Sequence, residues 1–309
     1  MEHEPHWERQ LIEKLASAGL IEQRRTRRWK TFFRLMWLGV AIGLLFLLFS
    51  SSGFEREHAG KHTAMVALEG VIDSEGQAGA KLVEGLKQAY DDPNTRGIII
   101  RANSPGGSPA LSGIANDEIR LLKKRHPAVP LYVVVEEVCA SGCYYIAAAA
   151  DRIYVDKASL VGSIGVISEG FGFDKAMGKL GIERRLATAG SNKGMGDPFS
   201  PQDPRQEAIR QSLLNEIHQQ FIAVVKQGRG QRLHNDPDLF SGRVWLGSSA
   251  IPLGLADGLG SINSVARDII KADTLVDYTP DDDFASRVAR QMGVMFRGSV
   301  QTLFDTRWR

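Results

Sequence analysis

The chain has 309 residues, 43% of them hydrophobic and 24% charged, and a formal net charge of +2. That is an ordinary globular composition with length for one large domain or two small ones, and the balance of charge gives no argument for a nucleic-acid partner. Two cysteines, Cys139 and Cys143, are too few for a zinc site.

Residues 7–22 space Trp7, Leu11 and Leu15 four apart, which predicts a short amphipathic helix. Arg24, Arg25, Arg27, Arg28, Lys30 and Arg34 follow, crowded into eleven positions. From Leu35 to Phe54 there is no charged residue. A helix of that length reaches about 30 Å, the thickness of the bilayer hydrocarbon core. A buried core helix and a cleaved signal peptide are the rival readings. The segment is apolar on every face, however, and no small-residue cleavage site of the A-x-A type follows it. One uncleaved transmembrane anchor is expected at 35–54. The positive-inside rule then leaves residues 1–34 in the cytoplasm and the rest outside the inner membrane.

Residues 55–62 are polar and read as a linker. From 63 to 275 the pattern alternates strands and helices. AMVALEGVI is a strand, and AKLVEGLKQAY is a helix with Leu82, Leu86 and Ala89 on one face. RGIIIRA is a buried strand broken by NSPGGSP, and Leu111, Ile114, Ile119 and Leu122 mark the next helix. PLYVVVEEV is a strand and SGCYYIAAAA a helix, followed by short strands in RIYVD and GSIGVIS. A long helix opens at Asp203-Pro204, with Ile209, Leu213, Ile217, Phe221 and Val224 as its apolar stripe. Alternating βα units predict an α/β fold. Residues 276–309 read as a separate C-terminal amphipathic segment.

Three places combine small residues with reactive side chains. Asn103-Ser104-Pro105-Gly106-Gly107-Ser108 and Ala140-Ser141-Gly142 each lie between a strand and a helix, and Lys193 sits in Gly190-Ser191-Asn192-Lys193-Gly194. Taken singly, these read as a tight turn, a helix N-cap and a solvated charge. Together they form an acyl-transfer site. Ser141 opens a helix near the positive end of its dipole, and the N–H of Gly142 with one from the Gly106-Gly107 turn can face an oxyanion. Serine needs a base. His3 and His6 fall on the cytoplasmic side, His58 and His62 in the linker, and His126, His218 and His234 at no strand-end turn. That leaves room for a lysine, which serves as a base when burial lowers its pKa. Cys139 and Cys143 are four apart, so helical spacing makes a mutual disulfide geometrically poor. Two buried thiols are expected, with Cys143 as a rival nucleophile.

The run VVEEVCASGCYYIAAAADRIYVDKASLVGSIGV, with NSPGGSP before it and GRVWLGSSAIPLGLADGLG after it, resembles the bacterial signal peptide peptidase family, SppA. The resemblance extends from Met65 to Ile262. It implies a ClpP/crotonase-like fold behind an N-terminal transmembrane helix, and a serine endopeptidase with a Ser/Lys dyad. The implied nucleophile is Ser141, the general base Lys193, a lysine-orienting serine Ser163, and the oxyanion donors Gly142 and the Gly106-Gly107 turn. No cofactor or metal is implied. The implied substrates are remnant signal peptides or other short or unfolded exported chains, cut at the inner membrane. The short forms of the family are ring- or dome-shaped homo-oligomers, an octamer being one size, with the dyad shared between protomers. Cys143 departs from the family's usual Ser-Gly-Gly-Tyr-Tyr. A crotonase-type acyl-CoA enzyme and a non-catalytic membrane scaffold are the rival functions.

Overall fold

The structure, a computed structural model, describes residues 27–43 and 60–280. The helix expected at 7–22, residues 44–54 of the expected anchor, 55–59 of the linker and the C-terminal segment from 281 onward lie outside the described residues. The chain divides into two compact units, Met1–Glu57 and His58–Arg309.

In the first unit, helix α1 spans 27–43. Its first half carries Arg27, Arg28, Lys30 and Arg34, interleaved with Trp29, Phe32 and Phe33, whose ring centroids lie 5.7 to 5.9 Å apart. Among the described residues no helix is long and apolar enough to cross a membrane. Residues 35–43 are the part of the expected anchor that α1 covers.

The second unit is α/β. It runs β1 (His62–Ile72), α2 (Ala78–Asp91), β2 (Thr95–Gly107), α3 (Pro109–Arg125), β3 (Leu131–Ala140), α4 (Gly142–Ala147), β4 (Arg152–Val155) and β5 (Leu160–Gly162). An arm over 163–203 carries only α5 (Asp174–Lys179). Then come α6 (Pro204–Arg229), β6 (Val244–Leu246), α7 (Gly247–Ala250), β7 (Gly258–Leu259), α8 (Ile262–Ser264), a π-helical turn over Val265–Ile270, and β8 (Leu275–Asp277). The strands form one sheet in the order β6-β5-β3-β2-β1-β8, with β4 on β3 and β7 on β4. Every pair is parallel except β5 with β6.

A parallel sheet covered on both faces calls for continuous apolar strands. Ile98, Ile99 and Ile100 meet that need, all fully buried. Ile98 and Ile100 face the main core of Leu82, Leu86, Ile119 and Ile146 from the helices, while Ile99 turns to a smaller cluster with Val134, Tyr154 and Val265. Helix α3 starts at an N-capping Ser108 with Pro109 in the first turn, and ends on Lys123, Lys124 and Arg125.

The sheet divides at β3. Its first part, Tyr132–Val135, pairs with β4, and its last part, Val138–Ala140, pairs with β5. The buried Ser159 hydroxyl spans the gap, bonding the carbonyls of Val135 and Glu136. The pairing with β5 carries β3 to the corner where Ser141 sits.

Four sequence expectations shift in the structure. NSPGGSP does not break β2; the strand continues to Gly107 because Val71 and Ile72 pair with Gly106 and Gly107 beyond a register shift. GSIGVIS is not itself a strand; β5 is Leu160–Gly162 and stops where Ser163 turns to positive φ. Of the expected α6 stripe only Phe221 is fully buried, with Val225 beside it off the stripe; Val224 is half-buried, and Ile209 and Leu213 are exposed. Finally, β8 pairs with Thr63–Met65, and Tyr278 N–H donates to Met65 O, so the sheet domain passes the expected boundary at 275.

A buried ion network locks α6 to the sheet. Arg229, 2% exposed, donates to Gly254 O at 2.8 Å and Asp257 Oδ2 at 2.7 Å. Arg232 reaches Asp257 Oδ1 at 3.2 Å, and Ile153 N–H donates to Asp257 Oδ2 at 2.7 Å. Burial raises the Asp257 pKa, but the Arg229 and Ile153 hydrogen bonds and both guanidinium charges outweigh it, holding the carboxyl below the usual carboxylate range. Asp257→Ala leaves Arg229 buried without its partner and is expected to cost about 3–5 kcal/mol in a urea melt. The wild-type advantage is fully present above about pH 4 and is lost as pH falls through the depressed folded pKa. A variant as stable as wild type at pH 7 would refute this role for the network.

Candidate active site

Strand β3 ends at Ala140 and α4 begins at Gly142, so the chain must reverse within Ser141. It does so at φ 52° and ψ −123°, a region that side-chain-bearing residues rarely adopt. The Ser141 N–H donates to Gly162 O at 2.9 Å, and its carbonyl accepts from Tyr145 N–H at 3.0 Å, fixing the corner between β5 and α4. Ser141 occupies the N-cap position, yet its side chain makes no capping bond. The capping explanation of this serine therefore fails, and its partly exposed hydroxyl is uncommitted to the fold.

The same corner corrects the reading of the cysteines. Cys139 and Cys143 form a disulfide with Cα atoms 5.1 Å apart, and both are fully buried. Helical spacing does not govern the pair. Cys139 belongs to β3 and Cys143 to α4, and the reversal at Ser141 folds one across the other. No free thiol remains to compete with Ser141.

The Gly106-Gly107 end of β2 packs directly on this corner. A Cβ on Gly106 would lie 2.6 Å from both Ala140 O and Gly142 N and 2.8 Å from Ser141 Cβ, and φ there is +98°. Only glycine fits. A Cβ on Gly142 would collide with Ser112 Oγ and lie 3.2 Å from Gly107 N, so the two backbone amides are neighbours. Gly142 is in the first turn of α4, where N–H groups have no intrahelical acceptor. In the other segment Gly106 N–H donates to Ser104 Oγ at 3.2 Å and Ser108 N–H to Ile72 O at 2.8 Å. The Gly107 N–H, on an exposed residue, is the donor that neither bond takes. Ser141, Gly142 and Gly107 thus surround one point at the end of the sheet.

Ser163 lies one residue beyond Gly162, whose carbonyl holds Ser141. It too has positive φ, 51°, and its N–H donates to Arg243 O at 2.8 Å. Lys193 is elsewhere. It is exposed on the arm, in a turn closed by Lys193 N–H to Gly190 O at 3.1 Å. Gln206 on α6 donates to Ser191 O at 3.3 Å and ties that turn to the helix. Asp197, the closest acid in the arm's sequence, is occupied by the Ser200 hydroxyl and Arg184, which hold its carboxyl below the usual range. Among the described residues no hydrogen bond or ion pair joins the Lys193 side chain to Ser141 or Ser163. The structure therefore brings Ser141, Gly142, Gly106, Gly107 and the backbone of Ser163 to one corner, and gives the Lys193 side chain no bond to any of them among the described residues.

Three residues around the corner carry no sequence signal. Ser104 and Ser112 are fully buried under the glycines. His218 on α6 places Nε2 3.0 Å from Ile164 O, beside Ser163, through a contact 54 residues apart in sequence. A groove of about 670 Å³ lined by Met65, Arg101, Val134 and Leu259 includes none of the site residues.

Residues 123–275 match the model of peptidase family S49. The chain is 46% identical over 182 residues to a Na(+)/H(+) antiporter NhaA of Brucella abortus, covering 59% of this chain and 25% of that protein. It is 32% identical over 223 residues to protease 4 of Haemophilus influenzae, covering 71% of this chain and 35% of the relative. It is 27% identical over 234 residues to a putative signal peptide peptidase SppA of Enterococcus faecium, covering 73% of this chain and 67% of the relative. The chain thus spans about a quarter to a third of the length of the first two relatives, and the antiporter match carries no argument about ion transport. The family match takes in Ser141, Ser163 and Lys193, and the chain belongs to peptidase family S49, the serine proteases related to SppA and protease 4.

Proposed function

We propose that the protein is a membrane-anchored serine endopeptidase of ClpP/crotonase-like fold, with Ser141 as nucleophile and Lys193 as general base. The observation that carries this reading is the uncapped Ser141 hydroxyl held at a positive-φ corner beside the Gly142 and Gly107 amides. In the first step neutral Lys193 Nζ takes the Ser141 proton while Oγ bonds the scissile carbonyl carbon. The carbonyl oxygen becomes an oxyanion facing the two N–H groups, worth about 3–4 kcal/mol per donor. The lysine proton passes to the leaving amine as the C–N bond breaks, and water repeats the sequence on the acyl-enzyme. Ser163, next to the corner, orients the lysine ammonium. The substrates are remnant signal peptides and other short or unfolded exported chains. Reaction with a serine-directed phosphonate, and hydrolysis of a peptide library with and without Ser141, test the reading.

The base comes from a neighbouring protomer. The arm that carries Lys193 exposes Ile167 (84%), Phe171 (82%) and Leu180 (74%), and Ile209 and Leu213 of α6 extend the same apolar character. Apolar side chains so exposed along one segment mark a contact surface. A second copy of the chain is the occupant, and a head-to-tail contact of that kind closes into a ring.

Residues 35–54 anchor the ring in the bacterial inner membrane, with Arg27, Arg28, Lys30 and Arg34 on the cytoplasmic side. Protease added to spheroplasts is expected to digest the domain after residue 60 and to spare an epitope placed before residue 24. Protection of the domain would reverse the topology.

A further inference from the structure

Ser104 is a fully buried polar residue near the end of β2. Around it the sheet ladder is interrupted on both sides. The β1–β2 register shifts between Glu69 and Val71, and the β2–β3 register shifts between Ala102 and Ser104. At such shifts backbone groups fall out of the ladder, and a buried one without a partner is costly. Gly70 is the residue skipped at the first of these shifts, and Gly106 lies just past it, opposite Val71. The Ser104 hydroxyl satisfies both, donating to Gly70 O at 2.6 Å and accepting from Gly106 N–H at 3.2 Å. A hydroxyl has one proton, so committing it to Gly70 leaves only lone pairs toward Gly106.

The bond from Gly106 N–H back to the side chain two residues earlier is a local serine turn. It pins the Gly106 amide inward. With Gly106 at φ +98°, the next amide, that of Gly107, is delivered beside Gly142 N at the Ser141 corner. Two glycines in succession have many other conformations available. The Ser104 hydroxyl is the side-chain group that selects among them.

We propose that Ser104 is a positioning residue for the oxyanion site, acting through the Gly106 peptide to aim the Gly107 N–H at the carbonyl oxygen of a peptide bound at Ser141. This rests on the reading of Ser141 as nucleophile.

Full-length protein in detergent carries the test, with Ser104→Ala, Ser104→Cys and Ser141→Ala assayed beside wild type. Ser104→Ala is expected to lower kcat about tenfold to a hundredfold, less than the loss of a whole oxyanion donor, with KM little changed. Affinity for a peptide boronate, which forms a tetrahedral adduct, is expected to fall by the same factor as kcat. Ser104→Cys, whose thiol is a weak donor and acceptor, is expected to fall between wild type and alanine and guards against a misfolded alanine variant. A loss confined to KM, an equal loss of boronate and substrate affinity, or unchanged kcat in both folded variants would overturn the proposal. If those results came with an inactive Ser141→Ala protein, the nucleophile reading would stand and only the role of Ser104 would fall. An active Ser141→Ala protein would remove the nucleophile reading itself.

Discussion

Ser141→Ala is expected to abolish peptide hydrolysis, with a loss on the order of a million-fold in kcat, and to abolish phosphonate labelling. The effect is large because the covalent route passes through one oxygen, and the oxyanion donors alone retain only a small part of the catalysis. The fold is expected to survive. The Ser141 side chain caps nothing, and the corner is held by backbone bonds to Gly162 and Tyr145 that alanine keeps. Circular dichroism and the urea midpoint check this. Cys143→Ala is the control. Its sulfur is buried in a disulfide with Cys139, so removing it takes no nucleophile away, and most of the activity is expected to remain. An inactive Cys143→Ala protein beside an active Ser141→Ala protein would reverse the assignment.

Lys193→Ala is expected to be equally inactive, and mixing it with Ser141→Ala protein to restore activity. The arm places Lys193 on an exposed surface with no hydrogen bond to Ser141 within one chain, and in the proposed ring the serine of one protomer would meet the lysine of the next. After subunit exchange at equal amounts, one interface in four pairs an intact serine with an intact lysine. Recovery of about a quarter of wild-type activity is expected for a ring assembled at random. If the exchanged mixture stays dead while a dilute wild-type monomer cleaves peptide, the dyad is intramolecular. Lys193→Arg is expected to be inactive in either case, because arginine does not give up its proton.

The alternation of strands and helices, the buried run Ile98–Ile100 and the N-cap at Asp203 are all local patterns, and the sheet domain follows from them. Ser141 and the glycine turn are legible for the same reason: the residue types demanded by a sharp strand-to-helix corner are themselves the signal. The bridge between Cys139 and Cys143 is not, because spacing along the chain cannot say that a reversal at Ser141 lies between them. The extension of β2 through NSPGG depends on β1 offering Val71 and Ile72 as partners, a contact that local propensity does not contain. The apolar stripe of α6 is present in full, yet only the tertiary structure shows that Phe221 and Val225 meet the core while Ile209 and Leu213 extend past it. Ser104 bonds Gly106 and His218 bonds Ile164, and each pairing exists only once strands and α6 are placed around the corner. Residue type and local spacing mark Ser141 and the glycine turn as candidates. Which backbone amides face the serine, and whether the lysine reaches it within one chain, are decided by contacts between segments distant in sequence, and those depend on the packing of the whole sheet.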